Sequence, residues 1–213
     1  KKQKVDLNKI EYYPYYAEDF YTQVNCKKKI KSKFPKGFNL LFAGNIGRAQ
    51  NLETIVNAIE KLKILEINVI VLGDGREKKR IQELVKEKNI EGKFYFLGVF
   101  EPDEMAYFFA CADALLITLK KADIFSYTIP GKLQSYLACG KPIIGALDGI
   151  GKKIILESGS GYCAKAEDVD GLKNNILKIF NLNQKNRKVF GEKGIRYFNE
   201  NFNKIKLIQK LEY

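Results

Sequence analysis

From Phe38 onward, short apolar runs alternate with longer segments in which hydrophobic residues return every three or four positions. Runs of this kind bounded by turn residues suit buried strands, and the 3.6-residue spacing suits amphipathic helices. FNLLFAG (38–44), INVIVLG (67–73), FYFLG (94–98), DALLITL (113–119), Pro142–Ala146 and Gly161–Ala164 therefore predict six strands. Between the first two, Leu52, Ile55, Val56, Ile59 and Leu62 lie on one helical face, with Asn51 in place as an N-cap. Residues 76–89 predict a charged helix, and another opens at Pro102, whose missing N–H is harmless in a first turn. A loop of about ten residues then leads to a helix over Gly131–Cys139, followed by a short one over Lys152–Glu157. From about Asp168 the pattern is helical to the end. Strand–helix alternation is what a parallel sheet covered by helices produces. The expected fold is thus α/β: a Rossmann-like, six-stranded parallel sheet flanked by helices.

Composition narrows the chemistry. The chain has 213 residues, 46% of them hydrophobic, which is ample for a core. It lacks histidine, and this removes Ser-His-Asp and Cys-His triads, H-E-x-x-H proteases and most catalytic zinc sites. The four cysteines are far apart with no C-x-x-C pair, so buried reduced thiols are expected. The formal net charge is +12, and residues 1–37 hold ten lysines against four acids. That surplus suits either a solvated surface or docking on anionic lipid. Nucleic acid is not an expected partner: only five of the 37 basic residues are Arg, the side chain that reads bases best. The tyrosines of the lead, Tyr12, Tyr13, Tyr15, Tyr16 and Tyr21, fit linker packing as well as base stacking. No apolar run approaches the roughly 20 residues of a membrane span, and KKQKVDLNKI is too polar for a signal-peptide centre. A cytoplasmic location is expected, with peripheral association at the inner membrane face as the use for the basic lead.

Open parallel sheets bind ligands at the carboxyl ends of their strands, which directs attention to the loops after the first four. Gly44-Asn45-Ile46-Gly47-Arg48-Ala49-Gln50 joins a strand to a helix start, where backbone N–H groups and the helix dipole attract phosphate. It is neither a Walker loop nor G-x-G-x-x-G, and Gly73-Asp74-Gly75 lacks the third glycine of a dinucleotide site. A second loop, from Ser126 to Pro130, runs into a helix that carries Lys132 in its first turn and stops at Gly140. A cation there opposes the dipole unless an anion is present. Two such helix starts on neighbouring strands suggest a diphosphate held from two sides. Asp168-Val169-Asp170 spells D-x-D, but at a helix start, where capping is the expected role.

These segments carry a specific likeness. P-G-K-L-Q-S-Y-L-A-C-G-K-P resembles the P-S-K-x-x-E-Y-x-A-x-G-K-P segment of family-4 glycosyltransferases of the GT-B fold. F-A-G-N-I-G-R-A-Q-N-L-E-T-I resembles their first strand and diphosphate loop, and V-L-G-D-G, F-L-G-V-F, C-A-D-A-L-L-I-T-L and E-S-G-S-G-Y follow in the family's order. The likeness covers about residues 38–180, and the lead E-Y-Y-P-Y-Y-A-E-D-F-Y resembles the interdomain linker of the capsule and O-antigen branch.

The resemblance implies the donor-binding half of a retaining glycosyltransferase. Residues 1–36 would be linker, 37–180 the nucleotide-sugar domain, and 181–213 helices packing back toward an amino-terminal domain outside this chain. The donor would be a UDP-sugar and the acceptor a lipid-linked oligosaccharide, with transfer needing no metal and this chain alone inactive. Arg48 and Lys132 would neutralise the departing diphosphate; Gly44, Asn45, Gly47 and Gly73 would bring polar and backbone groups close. Gln50 stands where many members have Lys. Gly98, Val99 and Phe100 would frame the base, Phe100 by stacking or packing. The family's paired glutamates align with Tyr127 and Ser135, neither of them acidic, which leaves the sugar open and suits a deoxy or acetamido sugar. Two other roles fit the same donor site: a nucleotide-binding module without activity, or a nucleotide-sugar epimerase.

Overall fold

The apolar runs become strands β1 (Phe38–Ala43), β2 (Ile67–Leu72), β3 (Phe94–Gly98), β4 (Ala114–Thr118), β5 (Ile143–Ala146) and β6 (Gly161–Ala164) of a computed structural model, which describes residue 6 and residues 12–211. All neighbours pair in parallel, in the order β3-β2-β1-β4-β5-β6. Strand order reverses between β1 and β4, so a crevice opens at the centre of the sheet, at its carboxyl edge. Every residue of β1, β2 and β4 is buried, which is why these strands read as continuous apolar runs instead of alternating ones.

Ten helices join them: α1 (Lys28–Lys31), α2 (Leu52–Glu60), α3 (Lys78–Glu87), α4 (Met105–Cys111), α5 (Asp123–Ser126), α6 (Gly131–Cys139), α7 (Gly149–Glu157), α8 (Val169–Phe180), α9 (Gln184–Asn201) and α10 (Lys204–Leu211), counted among the described residues. Alternate residues of β1 feed two cores. Leu40 and Phe42 pack beneath α2, α3 and α8, whereas Leu41 and Ala43 pack beneath α1, α4, α6 and α7. Helix α9 lies along α6, where Gly191 lets its backbone meet the Gly140 carbonyl; a Cβ there would sit 2.0 Å from that oxygen.

Local chemistry departs from the sequence reading at four places. Asn51 precedes α2 as expected but adopts a left-handed φ of 46°, and its amide donates to Thr54 Oγ1 at 2.8 Å instead of capping a backbone N–H. A 3-10 turn over Arg48–Gln50 feeds the helix in that geometry. Helix α7 begins at Gly149, not Lys152, because Gly149 has φ 68° and its backbone abuts that of Ser126, an approach a Cβ would block. The loop after β4 holds the short helix α5, and the lead holds α1. Finally, Cys26 and Cys111 form a disulfide across 85 positions, which corrects the expectation of four reduced thiols. Sequence distance hid the pairing: the lead folds back over α4, stacking Tyr21 on Phe109 and burying Ile30 and Phe34. Cys139 and Cys163 are free.

Asp168 does cap α8, its Oδ1 accepting the Gly171 N–H at 2.8 Å, and Asp170 pairs with Lys61 and Lys173. No helix among the described residues is long and apolar enough to cross a membrane. The lead extends into residues 1–5 and 7–11, which lie outside the described residues.

Candidate functional site

The loops after β1, β2 and β3 are laced together by backbone. The Gly44 N–H donates to the Leu72 carbonyl at 2.9 Å, and the Gly73 N–H to the Gly98 carbonyl at 2.7 Å. Gly44 and Gly73 have φ of 126° and 125°, and a Cβ on Gly73 would lie 2.0 Å from the Gly44 oxygen. Only glycine permits that contact. Gly73 therefore acts through packing: it fixes the β1 loop from behind.

On the other side of Gly44, α6 comes up from the adjacent strand. Its position is set by Tyr136, fully buried, whose phenolic oxygen accepts the Ala43 N–H at 3.1 Å; burial raises the Tyr136 pKa. One turn earlier on α6, Lys132 reaches over the end of β1. Its Nζ stands 4.0 Å above the Phe42 ring and so close to Gly44 that a Cβ there would be 3.0 Å away. The residue as a whole is half-buried, yet the side-chain nitrogen is closed off from solvent and has no hydrogen-bond partner among the described residues. Burial pulls its pKa from 10.5 down to about 7. An unpaired cation in a dry place is costly, and the lowered pKa reflects that cost.

A cleft of about 490 Å³ opens beside this nitrogen, lined by Gly44, Lys132 and Ser135 and walled by apolar side chains that include Met105 and Phe109 of α4. Ser135 is buried on the same face of α6, one turn beyond Lys132. The opposite wall comes from the lead: Tyr15, Phe20 and Tyr21 line it, and the Gln134 amide donates to the Tyr15 carbonyl at 3.3 Å. The amide oxygen of Gln134 has no partner among the described residues.

Arg48 lies elsewhere. Its side chain is 86% exposed, meets Glu77 Oε1 at 3.4 Å, and lines a separate cleft of about 680 Å³ with Asn45, Gly47, Gln50 and the Gly75–Glu77 loop. Hydrogen bonding from Arg80 first, and from Arg48 after it, lowers the Glu77 pKa. The consecutive residues Gly44 and Asn45 line one cleft each, so the two openings adjoin at the β1 loop. Asn45 and Gln50 crowd Gly47 from both sides, with a Cβ there 2.8 and 2.9 Å from their amide ends, and Gln50 Oε1 is buried without a partner.

The remaining candidates are dispersed. Gly98 has φ 85° with open space at its Cβ position, and Val99 is 71% exposed. Phe100 packs on Phe108, ring centroids 4.3 Å apart, so of stacking and packing it is engaged in the second. Tyr127 follows α5 at 77% exposure and lines neither cleft, whereas Ser135 lines the Lys132 cleft. Sequence reading missed Pro102, Met105 and the aromatic wall of the lead. The Tyr-rich composition of residues 12–21 was the available signal, but nothing in it indicated a fold back across α4.

A buried lysine nitrogen over a glycine loop thus stands at the crossover edge of a parallel sheet. The chain belongs to the group 1 glycosyl transferases, whose family model matches residues 25–197. It is 26% identical over 174 residues to N-acetyl-alpha-D-glucosaminyl L-malate synthase of Bacillus anthracis, covering 81% of this chain and 44% of that protein. The chain thus spans less than half of that relative. Among solved structures, Anabaena Alr3699/HepE in complex with UDP superposes with a TM-score of 0.75 at 16% identity, over 91% of this chain and 53% of that one. The C-terminal domain of the group 1 protein LpcC from Francisella tularensis superposes with a TM-score of 0.71 at 15% identity, over 87% of this chain and 97% of that domain. At these identities the superpositions establish a shared fold.

Proposed function

We propose that this chain is the donor-binding domain of a retaining glycosyltransferase, taking a UDP-sugar whose acceptor is held by a domain outside it. One observation carries the reading: the Lys132 ammonium is sealed from solvent, unpaired, and set between Gly44 and the first turn of α6. A diphosphate there gains the lysine charge, the backbone N–H groups of the α6 start and the positive end of its dipole. As the sugar leaves, negative charge collects on that diphosphate, and preorganised donors in a dry site stabilise it in the transition state. The donor nucleoside would extend into the cleft toward Ser135, Met105 and Phe109. HepE, the structural neighbour with UDP bound, supports the choice of nucleotide.

The acceptor is proposed as a lipid-linked oligosaccharide of surface-polysaccharide assembly, on the likeness of the lead to linkers of the capsule and O-antigen branch. The same proposal makes residues 1–36 the interdomain linker, sets α9 and α10 toward the other domain, requires no metal, and places the enzyme at the inner membrane face. With Ser135 in place of a carboxylate, donor hydroxyls are held by a neutral partner, which favours a deoxy or acetamido sugar.

Titration calorimetry of the chain with UDP, GDP and ADP tests the reading. UDP binds with a preference over the other two, and Lys132→Ala abolishes the heat. Binding of UDP that survives this substitution unchanged removes the diphosphate from α6 and ends the proposal.

A further inference from the structure

The wall of the Lys132 cleft that comes from the lead is attached to the domain covalently. Cys26 Sγ and Cys111 Sγ are bonded, joining the segment before α1 to the last residue of α4. Beyond the disulfide, the lead buries Ala17, Ile30 and Phe34 and pairs Asp19 with Lys204 at 3.3 Å, and four weaker contacts flank the cleft. Tyr21 stacks on Phe109 at 6.1 Å, the Lys27 ammonium sits 3.3 Å over the Tyr107 ring, and Lys31 Nζ donates to the Cys111 carbonyl at 3.4 Å. Gln134 of α6 donates a hydrogen bond to the Tyr15 carbonyl at 3.3 Å. Three of these four contacts fall on α4 within five residues of Cys111. The bond therefore fastens the lead where its other anchors already gather, and the cleft lies just beyond them.

We infer that the Cys26–Cys111 disulfide is a redox clasp on the donor cleft, holding the Tyr15–Tyr21 wall in place when oxidised and releasing it when reduced. The coupling to the cleft rests on the donor-site reading above; the clasp itself does not. Cys26 is exposed and Cys111 is buried, so exchange has one open face. A thiolate of a small dithiol attacks Cys26 Sγ and displaces Cys111 as a thiolate, which takes up a proton. The second thiol of the reductant then displaces Cys26 and leaves as a cyclic disulfide. Two electrons and two protons pass to the protein, and a disulfide oxidant reverses the step. Burial pushes the two free thiols upward, Cys139 to about 12 and Cys163 to about 11, so neither supplies a competing thiolate near neutral pH.

Once the bond opens, the lead is held by its buried apolar side chains, ring contacts and polar contacts without a covalent link, and local opening of residues 12–29 becomes easier. The wall then spends less time closed over the cleft, and a ligand that needs it binds with an affinity lowered by the closed fraction.

The experiment compares the chain oxidised by a cyclic disulfide with the chain reduced by dithiothreitol, and with Cys26→Ser, a change at an exposed position. Alkylation under denaturing conditions should block two thiols in the oxidised form and four in the reduced form. Limited trypsin digestion should cut at Lys27–Lys29 faster after reduction. UDP affinity should fall about fivefold, the lower end of ordinary coupling between sites. Cys26→Ser should match the reduced chain in both readouts and ignore dithiothreitol. Four reactive thiols in the oxidised sample overturn the inference, as does a broken bond that changes neither digestion nor UDP affinity. Should UDP bind neither form, the donor-site reading falls, while the digestion rates still decide whether the clasp exists.

Discussion

Two clefts adjoin at the loop after β1, and they treat their cations in opposite ways. Lys132 is held in a dry slot over Phe42, without a partner and with its pKa lowered to about 7. Arg48 stands in water and is paired with Glu77. A charge in the first setting acts on a ligand at low local dielectric, whereas in the second it is screened by solvent and already partly satisfied. The sequence presented the two as an equivalent pair on facing helix starts. The structure ranks them.

That ranking gives the largest expected effects. If the proposed transferase role holds, Lys132→Ala should lower turnover by a factor on the order of 100 to 1,000, the typical loss for one preorganised donor to a developing anion. Arg48→Ala should cost about tenfold, because an exposed cation contributes less. Steady-state rates of the two variants with saturating acceptor decide the matter. Equal losses would mean that ligand binding draws Arg48 off Glu77 and into the Lys132 cleft, and the contrast between the clefts would vanish.

How far this was legible from the chain alone differs by level. Six strands were legible as short apolar runs bounded by turn residues, most clearly in β1, β2 and β4, where every residue is buried. Lys132 stood out since a cation in a first helical turn is unfavourable without an anion. Its seclusion was not legible, because that depends on Phe42, Tyr136 and Gly44 meeting from different elements. The Arg48–Glu77 pair was hidden for a similar reason: 29 residues separate partners that only the β1–β2 pairing brings together. Phe100 reads equally as a ligand contact or a packing residue in the sequence, and its contact with Phe108 depends on a fold the sequence does not display.

The buried lysine also predicts a pH dependence that the exposed arginine does not. Near pH 8 the free Lys132 is mostly neutral, since its pKa is about 7. A bound diphosphate raises that pKa, so binding takes up a proton above pH 7 and weakens as pH climbs. Affinity should fall up to about tenfold for each unit between pH 7 and 9. Calorimetry of UDP in buffers of different ionisation enthalpy measures the proton directly. Proton release, or no uptake at pH 8, would show Lys132 already charged in the free protein. The same depression leaves the unfolded chain holding more protons between pH 7 and 10.5, so this lysine makes the unliganded fold more stable as pH rises through that window.

The smallest effect concerns Gln50, which sits in the Arg48 cleft with a buried amide oxygen that has no partner among the described residues, at the position where the family resemblance implies lysine. Gln50→Lys removes that orphaned acceptor and adds a positive charge beside Gly47 and Asn45, the residues that crowd it now. If the far end of the diphosphate reaches past Gly44 into this cleft, the new ammonium should tighten UDP by about threefold at low salt, less than a buried cation contributes because the cleft is open to water. Added salt should erase most of the gain. An unchanged or weaker affinity would confine the ligand to the Lys132 side, and Arg48 would then serve the protein through Glu77 alone.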